Sequence, residues 1–244
     1  MTPDTSPDLL ERLARDRLTP IGRIVSASNF TLLCDLGSDG TRAIYKPERG
    51  EAPLWDFPPC TLHLREVAAY VIDDALGWGM VPPTVRRDEG PYGNGSVQLF
   101  IDHDPERHYF TLADEGDVAV VEQLQRMVLF DVVINNADRK GSHVLLDDAG
   151  RVRLVDHGIC FHVEHKLRTV AWDFAGEPVP DEHREQMGAL AGRLADPAAP
   201  TASALAELLS VEEIAATATR AAAAARARRY PQPVGPRPVP WPPL

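Results

Sequence analysis

Residues 131–158 read DVVINNADRKGSHVLLDDAGRVRLVDHG, and the places where polar side chains interrupt this stretch decide how the chain is read. Apolar residues lead in from 117–134, a long run that predicts a buried helix. The polar cluster NNADRKGSH then forms a loop, and HVLLDDAGRVRLVD reads as a hairpin turning at Asp-Asp-Ala-Gly. A turn centred on Asp148 and Ala149 sets His143 opposite Leu154 and Gly141 opposite Asp156. Cross-strand and diagonal neighbours lie roughly 5 to 8 Å apart, so His143 and Asp156 can reach one ion, with Asp138 projecting from the loop toward the same space. Asp and Asn also populate loops simply because they cap and turn the backbone. Two carboxylates and a nitrogen ligand around one loop nevertheless match the needs of magnesium-dependent phosphoryl transfer, in which one Asp orients a hydroxyl and the others hold the metal on the phosphates.

Working outward, residues 20–46 alternate apolar segments with turn-rich breaks and predict a three-stranded antiparallel meander. The chain has 3 Lys against 22 Arg, and one of them, Lys46, ends the hydrophobic strand AIYK. Residues 47–60 carry too many prolines for helix. A helix follows over 61–76, opened by Thr61 as a cap candidate and closed by Gly77, with Glu66 in its middle. In a small sheet backed by that helix, Lys46 and Glu66 can form the ion pair that holds a lysine against nucleotide phosphates. Strand-like runs at 83–87 and 95–101, and helical segments near 180–195, 201–209 and 211–227, complete the pattern.

The order of strand lysine, helix glutamate, linker strand GSVQLFI, INNADRKGSH and LVDHGICF resembles the phosphatidylinositol 3- and 4-kinase superfamily, closest to its type II lipid kinase and HipA-like branches. PLWDFP, VPPT and DRKGSH are together similar to a bacterial family of chains of about this length placed near those kinases. The resemblance covers about residues 20–175. It implies an α+β, two-lobed protein-kinase-like fold: an N-terminal antiparallel sheet plus helix, and a mostly helical C-terminal lobe. It implies ATP with Mg or Mn as cofactors, Asp138 in the position of the base and Asp156 as the metal-binding Asp. Lys46 would contact the α and β phosphates, paired with Glu66. Gln98, Leu99 and Phe100 would line the adenine pocket through backbone hydrogen bonds, and Lys140 would meet the transferring phosphate. Ser28 and Asn29, with Ser26 and Ala27, occupy the phosphate-covering turn.

Two departures from the family pattern stand out. His143 takes the place of a metal-binding Asn, and a neutral imidazole suits zinc or manganese better than magnesium. The covering turn lacks glycines. A pseudokinase or nucleotide-binding regulator, and a nucleotidyl (AMP) transferase, are therefore the alternatives to a phosphotransferase acting on a hydroxyl of a protein, lipid or metabolite. His157, His162 and His165 follow in a spacing that matches no zinc pattern, and His162, His165, Lys166 and Arg168 read better as a positive patch for an anionic substrate.

Composition bounds the rest. The chain has 244 residues, 44% of them hydrophobic, and a net charge of -11. The charge is -4 over residues 1–101, -9 over 102–200 and +2 over 201–244. An acidic body argues against nucleic acid as a partner. No apolar run is long enough for membrane insertion, no signal peptide is indicated, and 3 scattered Cys exclude a disulfide framework, so a cytoplasmic protein is expected. Of the 22 Pro, 7 lie in the last 14 residues, PQPVGPRPVPWPPL. That stretch reads as a disordered polyproline-type tail, with docking of a protein partner as its alternative function. The expected division is an extension at 1–19, an N-lobe at 20–101, a C-lobe at 102–230 and the tail at 231–244.

Overall fold

In a computed structural model, residues 7–24 and 29–244 are described. Helix α1 (Pro7–Arg15) leads into a five-stranded antiparallel sheet of β1 (Leu18–Arg23), β2 (Leu32–Leu36), β3 (Thr41–Pro47), β4 (Thr84–Arg87) and β5 (Gly95–Leu99), in the order β1-β2-β3-β5-β4. Alternation of buried and half-buried positions in β2 and β3 turns Leu32, Cys34, Leu36, Ala43 and Tyr45 to one side. Leu9 and Leu13 of α1 complete that small core. The mean strand and turn pattern was legible in the sequence, and α1 ends at Arg15, with strand beginning at Leu18.

Helix α2 (Leu62–Leu76) is buried on nearly every side because it lies between the sheet and the second lobe. Thr61 does not cap it: its hydroxyl donates to the Pro58 carbonyl at 2.7 Å, while the Glu51 carboxylate accepts the His63 N–H at 2.8 Å. Gly77 ends the helix with φ 68°, the left-handed conformation a side chain would oppose. The second lobe contains α3 (Tyr109–Glu115), α4 (Val118–Ile134), the hairpin β6 (Val144–Leu146) and β7 (Val152–Leu154), α5 (Asp181–Ala195), α6 (Pro200–Ala206) and α7 (Val211–Arg226). Asp117 caps α4 through bonds from Ala119 and Val120 N–H. The helix buries Leu124, Met127, Val128, Phe130, Val133 and Ile134 in the larger core.

Two expectations are corrected. The hairpin register is shifted by one residue, so that Val144 pairs with Leu154, and residues 141–143 form a 3-10 turn ahead of the strand. The cause is Asp147, whose carboxylate accepts the Ala149 and Arg151 N–H groups and recruits Arg153, which lengthens the turn. The tail 231–244 is not disordered. Tyr230 packs beside Phe174 and exchanges backbone bonds with residues 176 and 177. Further on, the Pro238 carbonyl accepts the Thr169 N–H and the Trp172 indole N–H, both at 3.0 Å, and the Pro243 carbonyl accepts the Gly141 N–H at 2.8 Å. Prolines lack donors but keep their carbonyls, so a proline-rich segment is seated wherever the body offers N–H groups.

Asp73 of α2 supplies a test of the lobe junction. It is 1% exposed and accepts the Val81 N–H at 2.9 Å. Burial pushes its carboxyl up to about 7, with the backbone bonds and Arg153 only partly opposing. A folded pKa above the unfolded one means that its stabilising contribution is present below about pH 4 and lost as the pH rises through about 7. Asp73→Asn keeps an acceptor and removes the titration. Urea unfolding should show the variant gaining on the wild type between about pH 4 and about pH 7, by on the order of 4 kcal/mol at most. A constant difference would contradict this account.

Candidate active site

Asn135 closes α4 in the left-handed conformation (φ 53°), and this turns the chain sharply into the loop. Its side chain donates to the His162 and Glu164 carbonyls and accepts the Lys166 N–H, so it anchors the segment after β7. Asn136 donates to Asp131 at 3.0 Å and accepts the Asp138 N–H at 2.9 Å. Arg139 is fully buried. It grips Asp131 through Nε and Nη2 at 3.0–3.2 Å and donates to the Val155 carbonyl at 3.0 Å and to His157 Nε2 at 2.9 Å. The sequence assigns Asp131, Asn135, Asn136 and Arg139 no role beyond the habit of Asp and Asn to cap and turn the backbone. The available signal was a charged residue inside the apolar run of α4, which needs a buried partner.

With the loop fixed in this way, Lys140 turns into the cleft, and the Asp138 carboxylate lies 3.3 Å from its ammonium. Burial pushes the Asp138 carboxyl above its ordinary range, and Lys140 only partly opposes it. From the other lobe, the Lys46 ammonium meets the Glu66 carboxylate and also lies 2.8 Å from Asp156 Oδ1. Glu66 has a second task, accepting the His157 N–H through its other oxygen at 2.9 Å. The effects on the three groups differ. Burial opposes charge on all of them, but the two carboxylates overcome it at Lys46, whose pKa is raised. Burial dominates at Glu66, whose carboxyl is raised. At Asp156 burial is the largest single influence, but the Lys46 charge, its hydrogen bond and the neighbouring imidazoles together outweigh it and hold the carboxyl well below its usual range. Asp156 has φ 62°, a strained conformation for a non-glycine residue and one that recurs at functional sites.

His143 Nε2 lies 3.4 Å from Asp156 Oδ2. Burial pushes the imidazole down to about 4, so it is neutral near pH 7, and its Nδ1 is buried with no hydrogen-bond partner. A neutral nitrogen beside an ionised carboxylate is a fitting pair of donors for a divalent cation. Among the described residues no group of three or more His, Cys, Asp or Glu side chains converges, so the remaining ligands would come from phosphate or water.

Of these side chains, Lys46, Lys140, His143 and Asp156 line a cavity of about 540 Å³ between the lobes. Gln98, Leu99 and Phe100 border it, but their groups are largely committed. Gln98 donates its side-chain amide to Thr84, the Leu99 N–H bonds to the Pro83 carbonyl, and the Phe100 N–H bonds to the Arg42 carbonyl. Ser28, with Ser26 and Ala27, lies outside the described residues. Asn29 uses its side-chain oxygen to accept the Ala52 N–H at 2.8 Å, which turns it toward the 51–53 loop. The expected positive patch is partly neutralised, because Lys166 pairs with Asp56 at 2.7 Å and sits over the Trp55 ring. His157 lies buried against Arg139, and His162 Nδ1 accepts the Glu164 N–H.

The family profile described as "Phosphatidylinositol 3- and 4-kinase" matches residues 65–200, more than half of the chain, including Glu66, Asp138 and Asp156 but not Lys46. The chain belongs to the phosphatidylinositol 3- and 4-kinase family. It is 42% identical to Protein Rv2133c of Mycobacterium tuberculosis (strain ATCC 25618 / H37Rv), over 94% of this chain and 93% of that one. It is 31% identical to phosphatidylinositol 4-kinase gamma 4 of Oryza sativa subsp. japonica over 52% of this chain, and the match spans 26% of the plant enzyme. Among solved structures, the Golgi casein kinase with Mn/ADP bound aligns with a TM-score of 0.55 at 14% identity, covering 89% of this chain and 74% of that one. The Helicobacter pylori proinflammatory kinase CtkA aligns at 0.52 with 11% identity, over 87% of this chain and 92% of that one. The family is one of kinase-like phosphotransferases, and the solved structures share the two-lobed fold.

The family's loop depends in this chain on the Asp131–Arg139 pair. Arg139→Met strands a buried carboxylate and should lower the unfolding free energy by about 3–5 kcal/mol. Adding Asp131→Asn removes the stranded charge and should restore part of the loss in a urea titration. Equal stability of the single and double variants would rule out the pair as the loop's anchor.

Proposed function

We propose that the chain is an ATP- and divalent-metal-dependent phosphotransferase that moves the γ-phosphoryl group to a hydroxyl of an acceptor. The observation that carries this reading is Lys46, held by Glu66 from one lobe and Asp156 from the other, at the wall of a cavity that Lys140 also lines, with Asp138 behind it 3.3 Å from the Lys140 ammonium. Lys46 and Lys140 supply fixed positive charge for phosphate oxygens. Glu66 keeps Lys46 in place when Asp156 is drawn toward a cation. Asp138, its carboxyl raised by burial, accepts a hydrogen bond from the acceptor hydroxyl and aims the oxygen for attack. Asp156 and His143 would hold the cation, which neutralises charge on the phosphates when bound. The imidazole favours Mn over Mg. An adenine base at the Leu99 and Phe100 edge would meet side chains and carbonyl oxygens rather than the amides of those residues, which are already bonded.

The mycobacterial relative sets no substrate, and the plant enzymes, matched over about a quarter of their length, support a lipid acceptor no more than a protein or metabolite one. None of the described helices is long and apolar enough to cross a membrane. The reading takes the protein as cytoplasmic, with no nucleic-acid partner.

Purified chain with Mn or Mg should transfer label from γ-labelled ATP to itself or to a component of a cell extract. Asp156→Ala should abolish transfer, and Asp138→Asn should slow it by about a hundredfold or more while ATP still binds. Binding without transfer would instead make the chain a nucleotide-binding regulator, and transfer of label from α-labelled ATP would make it a nucleotidyltransferase. His143→Asn should bring the activity with Mg closer to that with Mn.

A further inference from the structure

The cavity between the lobes has one wall that belongs to neither of them. Pro242 and Leu244 line it together with Lys46, Lys140, Ser142 and Asp156. They are brought there by three hydrogen bonds to carbonyls of their own segment, two onto Pro238 from Thr169 and Trp172, and one onto Pro243 from Gly141. The bonds join distinct parts of the site. Thr169 bridges to Arg139 and so marks the segment packed on the loop, while Gly141 lies three residues after Asp138. Segment 238–244 therefore spans from one to the other.

Gly141 is suited to this contact. A Cβ there would lie 2.8 Å from the Phe110 ring and 3.2 Å from Leu244 Cδ1, so glycine lets α3, the loop and the segment close on one point without displacing either side chain. The segment lines the cavity and does not fill it. About 540 Å³ remains with the segment in place, well inside the range of small-molecule sites. Leu244 keeps 53% of its surface uncovered at that edge, apolar area that a ligand would bury.

We propose that segment 238–244 is a nucleotide-binding wall of the cleft, which covers one side of bound ATP and at the same time holds the Gly141 end of the loop in register. This rests on the nucleotide reading above. The segment is a positioning element, and it acts on Asp138 and Lys140 through Gly141.

The test is ATP and adenosine binding by calorimetry, in the presence of Mn, with three proteins: the full chain, a chain cut after Arg237, and Leu244→Asp. The cut chain should bind ATP about fivefold more weakly or worse, the loss expected for withdrawing part of an apolar side chain and its wall. Leu244→Asp keeps all three backbone bonds and so tests the wall independently of any folding defect in the cut chain. It should weaken ATP more than adenosine, because the new charge faces the triphosphate. Tighter ATP binding by the cut chain would overturn the proposal and make the segment a plug. Unchanged affinities in both variants would overturn it while leaving the nucleotide reading intact. Absence of ATP binding by both the full and the cut chain would overturn the nucleotide reading itself, and the wall with it.

Discussion

Everything in the cleft depends on the placement of one buried carboxylate, Glu66. One oxygen engages Lys46 of β3 and the other accepts the backbone N–H of His157. A helix residue thus fixes a strand of the first lobe and the start of the segment after the hairpin in the second. Burial works against its charge, so the arrangement holds only while the partners stay in place. The ammonium is then shared: Asp156, kept ionised by the same lysine, lies on its other side. In the proposed phosphotransferase, a cation and phosphates would replace the contact between Lys46 and Asp156 without disturbing Glu66.

A second, drier pair supports the first. Arg139 and Asp131 are both fully buried, and the guanidinium reaches carbonyls and the His157 ring as well as its carboxylate. Planar, multidentate donation is what arginine offers and lysine does not. It lets one side chain tie the end of α4, the loop and the strand exit together. Asn135 and Asn136 finish the work with short side chains that bond the backbone on either side.

Much of this was legible in the sequence, for reasons that can be named. The helical spacing around Glu66 and the strand ending in Lys46 are local patterns, and their pairing follows once a sheet is backed by that helix. The polar interruption at 135–143 announced a loop between helix and hairpin. What was not legible depended on tertiary partners. The hairpin register turned on Asp147 holding Arg151 and Arg153, which no strand pattern reveals. The hinge amides of Leu99 and Phe100 are taken by carbonyls distant in sequence. The proline-rich end looked unstructured because prolines make no internal ladder; its order comes from N–H groups that the body supplies. The charge of -9 over residues 102–200 also takes on meaning, since one of its carboxylates, Asp156, lines the cavity and another, Asp138, pairs with Lys140 at its wall.

The central claim is that Lys46 changes partner when nucleotide and metal enter. A crystal structure of the complex with a non-hydrolysable ATP analogue and Mn measures this directly. The account predicts that Lys46 retains Glu66, leaves Asp156 and contacts the α and β phosphates, while Asp156 and His143 both ligate the cation. A nucleotide bound elsewhere, or a cation in the cleft with the Lys46–Asp156 contact intact, would contradict it.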